Sequence, residues 1–361
     1  GLGDVYKRQV HSFIVFRKKS FFLFPAFVSK VCKEEKLNAF HREAVALLAE
    51  YGVRLGGRRN KFTAALGKIV DLMREADLCC RTEGNKVVKA KHVRRALEEW
   101  RERVNSVERR MTEAILNKSI LIQTKGKKVG QINGLAVYDL GDYSFCRPSR
   151  ITVETSVGRG GIINIERESG MSGGTHDKGV HILTGYLRSR FAQKRPLSLT
   201  ASICFEQSYT AIDGDSASST EVYAILSSLS GLPIRQDIAV TGSVNQKGEI
   251  QAIGNVNEKI EGFFDVVRAN KPTGREGVII PEANVPELML REDVVEAIRA
   301  GKFHIWPVKT VEEGIEILTG VPAGKRRSDG TYTPGSVFDR VDRRLEELVR
   351  GLKRYQAGPP S

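Results

Sequence analysis

A serine and a lysine, 43 positions apart, are the residues of this sequence best suited to nucleophilic chemistry. Ser216 follows the turn Asp213-Gly214-Asp215 and begins a helical pattern, and Lys259 lies in a second helical pattern among apolar neighbours. A serine hydroxyl becomes a good nucleophile only when a base removes its proton. A lysine amine can act as that base when burial lowers its pKa. The pair therefore indicates a serine nucleophile activated by a desolvated lysine.

Each of the two residues also has an ordinary structural interpretation. Serine and aspartate are common helix N-cap residues, so the turn before Ser216 also fits a simple helix start. A lysine in a helix usually lies at the surface. A Ser-His-Asp triad would need a histidine as its base. His176 and His181 are five residues apart and match no zinc motif, and both are interpreted as helix and surface residues. No metal site is predicted.

The blocks around the serine and the lysine resemble a known family. The serine block reads F-E-Q-S-Y-T-A-I-D-G-D-S-A, and the lysine block reads G-N-V-N-E-K-I-E-G-F-F. Both closely resemble the proteolytic domain of the Lon proteases, nearest the archaeal-type (B-type) and Lon-related bacterial branch, and the resemblance covers residues 24–325. It implies that Ser216 and Lys259 form a catalytic dyad.

Two further residues match positions of that family near the dyad. The resemblance implies that Asp213 either steers the lysine or stabilises the turn, and that Thr241 is a hydroxyl that orients the lysine amine. The bacterial A-type proteins carry histidines in the strand before the serine, where this chain has Ser202 and Cys204. This departure favours the B-type branch and removes a histidine base from the strand.

The helix and strand patterns predict an α+β fold. Residues 24–118 read as amphipathic helices and resemble an all-helical AAA+ lid subdomain, with a generic helical bundle as the alternative. Residues 119–322 alternate strands and helices, which predicts an α/β domain of the Lon proteolytic type. Residues 1–23 are predicted to be a non-native or disordered start, and residues 323–361 a linker and a charged C-terminal helix.

Within the second domain, the same patterns predict individual elements. The first strands are expected at 120–124 and 129–137. The serine helix is expected over 217–230 and the lysine helix over 256–268. A terminal helix is expected over 337–355, and its sequence suggests no role for it.

The net charge of +14 lies entirely within residues 1–140. Such a basic region can contact nucleic acid, nucleotide phosphates or an acidic partner, while a solvated helical face is the alternative. The five cysteines are odd in number and contain no C-x-x-C, which fits a reducing cytoplasm. No run of about 18 apolar residues is present, so the sequence predicts no membrane span.

The resemblance implies a serine endopeptidase that hydrolyses peptide bonds in unfolded or damaged proteins, as a homo-oligomeric ring of six subunits. The sequence has no phosphate loop of the form G-x-x-x-x-G-K-[ST], so no cofactor is expected to bind this chain alone. We therefore expect a C-terminal fragment, whose full-length protein depends on ATP and magnesium. The alternative function is a catalytically silent regulatory or nucleic-acid-binding fragment that uses the basic lid.

Overall fold

The computed structural model describes residues 13–15, 18–141 and 143–357. Most of the predicted non-native or disordered start therefore lies outside the described residues. The chain divides into two compact units, one that runs up to Val107 and includes Pro286–Met289, and one that holds the rest. Among the described residues, none of the helices combines the length and the apolar character needed to cross a membrane.

The first unit is built mainly from helices. Its elements in chain order are β1 (Phe13–Val15), α1 (Lys18–Glu35), β2 (Ala39–Phe40), α2 (Arg42–Leu55), β3 (Lys61–Thr63), α3 (Leu66–Thr82), β4 (Val87–Val88) and α4 (Ala90–Val104). Leu48, Ile69, Met73 and Val93 are fully buried, because apolar residues recur at helical spacing and give each helix one apolar face. This confirms the predicted helical unit, to which β1 with β3 and β2 with β4 add two small sheets.

A seven-stranded mixed sheet forms the centre of the second unit. The elements of this part of the chain are α5 (Ser106–Leu116), β5 (Lys127–Lys128), β6 (Gln131–Asp139), β7 (Ser144–Val157), β8 (Gly161–Asn164), α6 (Ile165–Glu168), α7 (Gly174–Phe191), β9 (Leu199–Phe205), α8 (Ser218–Ser230), β10 (Ile234–Arg235), β11 (Ile238–Val240), β12 (Ser243–Val244), β13 (Ile250–Gln251), α9 (Val256–Ala269), β14 (Gly277–Pro281), a 3₁₀ helix (Glu282–Glu287), α10 (Glu292–Arg299), β15 (His304–Val308), α11 (Val311–Thr319) and α12 (Val337–Ala357). The strand order is β15-β14-β11-β6-β7-β9-β8. Strand β7 is antiparallel to both of its neighbours, and the other adjacent pairs are parallel.

Helices cover the sheet on both of its faces. Helix α8 is buried along nearly its whole length in a core that it shares with α7, α11 and α12. Ile279 of β14 belongs to that core, whereas the buried neighbours Val278 and Ile280 lie outside it, because successive side chains of a strand point to opposite faces. Helix α9 packs against β7 and β14 outside that core. This arrangement confirms the predicted α/β unit.

Helices were easier to predict than the first strand. The serine helix and the lysine helix are confirmed, as α8 and α9, each within one residue of the expected bounds. The strand predicted over 120–124 is wrong. Its N–H groups bond outside any strand ladder: Ile120 donates to the carbonyl of Ala114, Leu121 to Oε1 of Gln207 and Ile122 to the carbonyl of Ile120. Among the described residues, the alternating apolar pattern therefore has no partner strand. Strand β6 begins at Gln131 rather than at 129.

The terminal helix α12 is part of the core of the second unit. It packs against α8, and its buried apolar residues recur at helical spacing: Val337, Phe338, Val341, Leu345 and Leu348. The segment before it is also anchored, because Tyr332 is buried and its hydroxyl donates a hydrogen bond to the carbonyl of Arg190 at 2.6 Å. The helix without an evident role in the sequence therefore covers the helix that follows Ser216.

The substitution Phe338→Ala should destabilise the second unit by about 3–5 kcal/mol, the usual cost of removing a buried aromatic side chain. The ring is fully buried, and its centroid lies 5.6 Å from those of Phe191 and Tyr332. Calorimetry of the full chain measures the loss as a lower unfolding temperature. The control Arg344→Ala removes an exposed side chain of the same helix and should change little. Equal shifts in both variants would contradict a core role for α12.

Candidate active site

Ser216 lies in a tight turn just before helix α8. Gly214 has a φ of 90°, a left-handed conformation that glycine adopts without strain. Oδ1 of Asp213 accepts hydrogen bonds from the N–H groups of Gly214 at 2.8 Å, Thr175 at 3.1 Å and His176 at 3.2 Å. These N–H groups, that of Gly214 foremost, lower the pKa of Asp213. Asp213 thus ties the serine turn to the start of α7.

Lys259 lies in the first turns of α9 and is 3% exposed. Its Nζ lies 2.8 Å from Oγ of Ser216 and 3.1 Å from Oγ1 of Thr241. The apolar residues Val256 and Ile260 beside it on the helix are also buried. The amine of Lys259 is therefore largely shielded from water, and among the described residues its polar contacts are the hydroxyls of Ser216 and Thr241.

Burial lowers the pKa of Lys259 to about 8, because a charged amine is poorly solvated there. Cys146 and Asp215 act in the opposite direction and raise this pKa. At pH 7 about one-tenth of such an amine is neutral, against fewer than about one in a thousand for an ordinary lysine of pKa about 10.4. Lys259 is therefore able to accept a proton at neutral pH.

The segment Thr241–Val244, which leaves strand β11, fastens the serine turn to the sheet. The carbonyl of Ser216 accepts hydrogen bonds from Oγ1 of Thr241 at 3.2 Å and from the N–H of Gly242 at 2.8 Å. The N–H of Ser219 donates to the carbonyl of Gly242 at 3.1 Å. Thr241 thus contacts both the backbone of the serine and the amine of the lysine, which fixes their separation.

Two side-chain contacts complete this attachment. The N–H of Val244 donates to Oγ of Ser218 at 3.0 Å, in the first turn of α8. Oγ of Ser243 donates to Oδ2 of Asp215 at 2.7 Å, on the residue directly before Ser216. The serine turn and the start of α8 are therefore hydrogen-bonded to four consecutive residues, 241–244.

The side chains of Ser216 and Lys259 line a cleft of about 560 Å³. Its walls include Leu135–Asp139 at the end of β6, Thr210–Ala217 and Ala252–Asn255. Within the described residues, the N–H groups of Ser216 and Ala217 have no hydrogen-bond partner, since they precede the first helical hydrogen bonds. Free N–H groups at such a position can bind a developing negative charge.

The structure brings together three of the four predicted site residues. Ser216, Lys259 and Thr241 are in mutual contact. Asp213 lies at the turn, and its hydrogen bonds favour the stabilising role over steering of the lysine. Two residues were missed: Asp215, inside the same D-G-D-S turn, and Ser243, two residues after Thr241. Their adjacency to predicted residues was the available signal.

Other polar residues singled out in the sequence lie elsewhere. His181 is exposed, but His176 is buried rather than at the surface; its Nε2 lies 3.0 Å from Nδ2 of Asn164, and burial lowers its pKa. Ser202 and Cys204 lie on β9 and do not line the cleft. Burial raises the pKa of the Cys204 thiol to about 11. In the part of the chain that the structure describes, no group of His, Cys, Asp and Glu is arranged to hold a metal ion.

Two family models match the chain. Residues 39–103 match the AAA+ ATPase LID domain of archaeal LonB. Residues 107–320 match the C-terminal proteolytic domain of Lon protease (S16). The first match falls within the helical unit, and the second contains the serine turn, the lysine helix and the segment that joins them.

Curated proteins with similar sequences include bacterial and archaeal ones. A putative Lon protease homolog of Escherichia coli K12 is 43% identical over 222 residues, which are 61% of this chain and 38% of that protein. A protein of the same name from Haemophilus influenzae is 39% identical over 64% of this chain and 39% of its own length. The archaeal Lon protease of Archaeoglobus fulgidus is 28% identical over 80% of this chain and 44% of its own length. The chain thus spans less than half of the length of these relatives.

Chemical labelling should reveal Lys259 as an amine of low pKa. With acetic anhydride at a series of pH values, Lys259 should reach half-maximal reactivity near pH 8, because only the neutral amine reacts. Mass spectrometry of the peptide that contains Lys259 measures the reaction. The same peptide from urea-denatured chain is the reference and should have a midpoint of about 10.4. Equal midpoints in the native and denatured chain would contradict the desolvation of the amine.

Proposed function

The chain belongs to the Lon protease (S16) family, and from that premise we propose that it is a serine endopeptidase. The observation that carries the proposal is the 2.8 Å contact between Oγ of Ser216 and a buried lysine amine whose pKa is lowered to about 8. A nucleophile within hydrogen-bond reach of its base is the arrangement that covalent acyl transfer requires.

In this mechanism Lys259 takes the proton of Ser216 while Oγ attacks the carbonyl carbon of the scissile peptide bond. The proton then passes from Nζ to the leaving amine, and an acyl-serine remains. A water molecule, deprotonated by the same amine, hydrolyses the ester and restores the hydroxyl. The N–H groups of Ser216 and Ala217 support the oxyanion of each tetrahedral intermediate. Thr241 keeps the amine directed at the serine.

The proposed substrates are peptides and unfolded or damaged proteins. A folded domain is typically stable by about 5–15 kcal/mol and exposes its interior only in a rare open state. The chain has no phosphate loop with which to couple ATP hydrolysis to unfolding. The chain therefore lacks the loop that would hold the phosphates of ATP, and the mechanism above uses no nucleotide.

The family resemblance supports further proposals for the full-length protein. We propose that it binds ATP and magnesium, forms a hexameric ring and works in the cytoplasm, where the five cysteines of the chain remain free thiols. The +14 charge of residues 1–140 supports contact with nucleic acid as an additional interaction. Sedimentation of the full-length protein with and without Mg-ATP tests assembly and nucleotide dependence together.

A catalytically silent regulatory or nucleic-acid-binding fragment is the competing function. The contact between a lowered-pKa amine and a serine hydroxyl inside a cleft disfavours it, because neither binding to nucleic acid nor regulation needs such a pair. Parallel assays with a fluorogenic peptide and with a labelled DNA duplex separate the two functions. Duplex binding without peptide cleavage would favour the silent fragment.

Removing either member of the dyad should abolish peptide hydrolysis. Ser216→Ala deletes the nucleophile, and Lys259→Ala deletes the base. Lys259→Arg should be as inactive as Lys259→Ala, because a guanidinium keeps the positive charge but does not release its proton at neutral pH. Initial rates with a fluorogenic peptide measure the effect, with circular dichroism as the control for folding. Substantial activity in Lys259→Arg would remove the general-base role.

The chain should cleave unfolded proteins and spare stable ones. Casein should be degraded, a stable folded domain should survive, and a destabilised mutant of that domain should be cut at a rate that follows its unfolded fraction. Adding ATP and magnesium should change none of these rates. Gel time courses of the three substrates provide the measurement. Faster loss of the stable domain with ATP would contradict the absence of energy coupling in this chain.

A further inference from the structure

A carboxylate close to a catalytic amine can keep that amine in its charged form, which cannot accept a proton. Asp215 directly precedes Ser216, and its negative charge raises the pKa of Lys259. An ion pair between the two would stabilise the charged amine and remove the base at neutral pH. Among the described residues, Nζ of Lys259 has no ion-pair partner and contacts the hydroxyls of Ser216 and Thr241 instead.

The carboxylate of Asp215 is hydrogen-bonded to a different residue. Its Oδ2 accepts a hydrogen bond from Oγ of Ser243 at 2.7 Å, a length typical of a hydroxyl bound to a carboxylate. Ser243 is 4% exposed and belongs to β12, where it is paired with Gln251 of β13. The carbonyl of Asp215 accepts from the N–H of Ser218 at 3.0 Å. The backbones of both residues are therefore fixed, and only rotation of the aspartate side chain is needed to release the carboxylate.

We propose that Ser243 is a positioning residue: its hydroxyl holds the carboxylate of Asp215 away from Lys259 and so keeps the lysine available as a base. The proposal rests on the proposed function, because it assigns the hydroxyl a role only in relation to that base. Ser243 itself touches neither the nucleophile nor the amine in the contacts described above.

The other ionisable groups around the amine leave Asp215 as the anion that matters. Cys146 of β7 faces Lys259, but burial raises the pKa of this thiol to about 12, so it carries no charge near neutral pH. Two further charges affect the pKa of this thiol. Glu258, the residue before Lys259 on α9, raises it, and Arg147 of the same strand lowers it. Of the two groups that raise the pKa of Lys259, the Asp215 carboxylate is therefore the one that acts as an anion.

The substitution Ser243→Ala tests the proposal through the pH dependence of peptide cleavage. Without the hydroxyl, the carboxylate is free to turn towards the amine, and a close opposite charge raises a lysine pKa by about 1–3 units. The midpoint of the profile of kcat/KM against pH should move upwards by at least about one unit, which is a loss of about tenfold at pH 7. The plateau at high pH should stay within about twofold of that of the unmodified chain, because the neutral amine is intact.

Two further variants separate positioning from a structural effect. Asp215→Asn removes the competing charge, so Ser243→Ala in that background should cause no further upward shift. Ser230→Ala deletes a buried hydroxyl at the far end of α8 and should leave the midpoint unchanged. If Ser243→Ala fails to fold, Ser243→Cys keeps a side chain of similar size with a weak donor and should shift the midpoint in the same direction.

Acetic anhydride labelling of Lys259 gives a readout that does not depend on peptidase activity. Its midpoint should rise in Ser243→Ala and return in the double variant with Asp215→Asn. An inactive unmodified chain would overturn the proposed function, while the labelling midpoints would still decide the role of Ser243. An unchanged labelling midpoint in Ser243→Ala, or a loss of kcat/KM by the same factor at every pH, would overturn the positioning role.

Discussion

The burial of one amine against one hydroxyl is the constraint on which the site depends. In the proposed mechanism Lys259 can act as a base only while it is shielded from water, and this shielding requires α9 to lie close to the sheet. Gly262 permits that approach, since a Cβ at this position would lie 2.2 Å from the carbonyl oxygen of Cys146 on β7. A side chain there would force the helix, and the lysine on it, away from the strand.

The serine has to be held with the same precision, and a different part of the chain does so. Asp213 ties the turn to α7, and the residues that leave β11 bond to the start of α8. Thr241 links the two halves, because its hydroxyl contacts the carbonyl of Ser216 and the amine of Lys259. The proposed Ser-Lys dyad has no aspartate to orient the base, as the Ser-His-Asp triad has. We propose that Thr241 and the hydrogen-bonded backbone around it take that role.

Local patterns allowed the helices to be predicted, because helical periodicity is contained in short stretches of sequence. Ser216 and Lys259 were identified through the resemblance of their two sequence blocks to the Lon family, since each residue alone also fits an ordinary helix start or a surface lysine. Contacts between distant stretches were not accessible in this way. The bond from Ser243 to Asp215 joins residues 28 positions apart, and the burial of His176 follows from packing that no local pattern specifies. The apolar spacing of Phe338, Val341 and Leu345 was present in the sequence, but the many charges of α12 concealed which helix it covers.

The position of Ser216 depends on residues beyond the matched proteolytic domain, because α12 packs against the helix that follows this serine. The match to the proteolytic domain ends at residue 320, yet the core around α8 continues through Leu348. Helix α8 is buried along nearly its whole length, so its position depends on every layer that covers it, the terminal helix included. A shift of this helix would move Ser216 relative to a lysine anchored on the separate helix α9. The 2.8 Å contact in the cleft is therefore a property of the whole second unit, and its precision rests partly on residues far from the dyad in sequence.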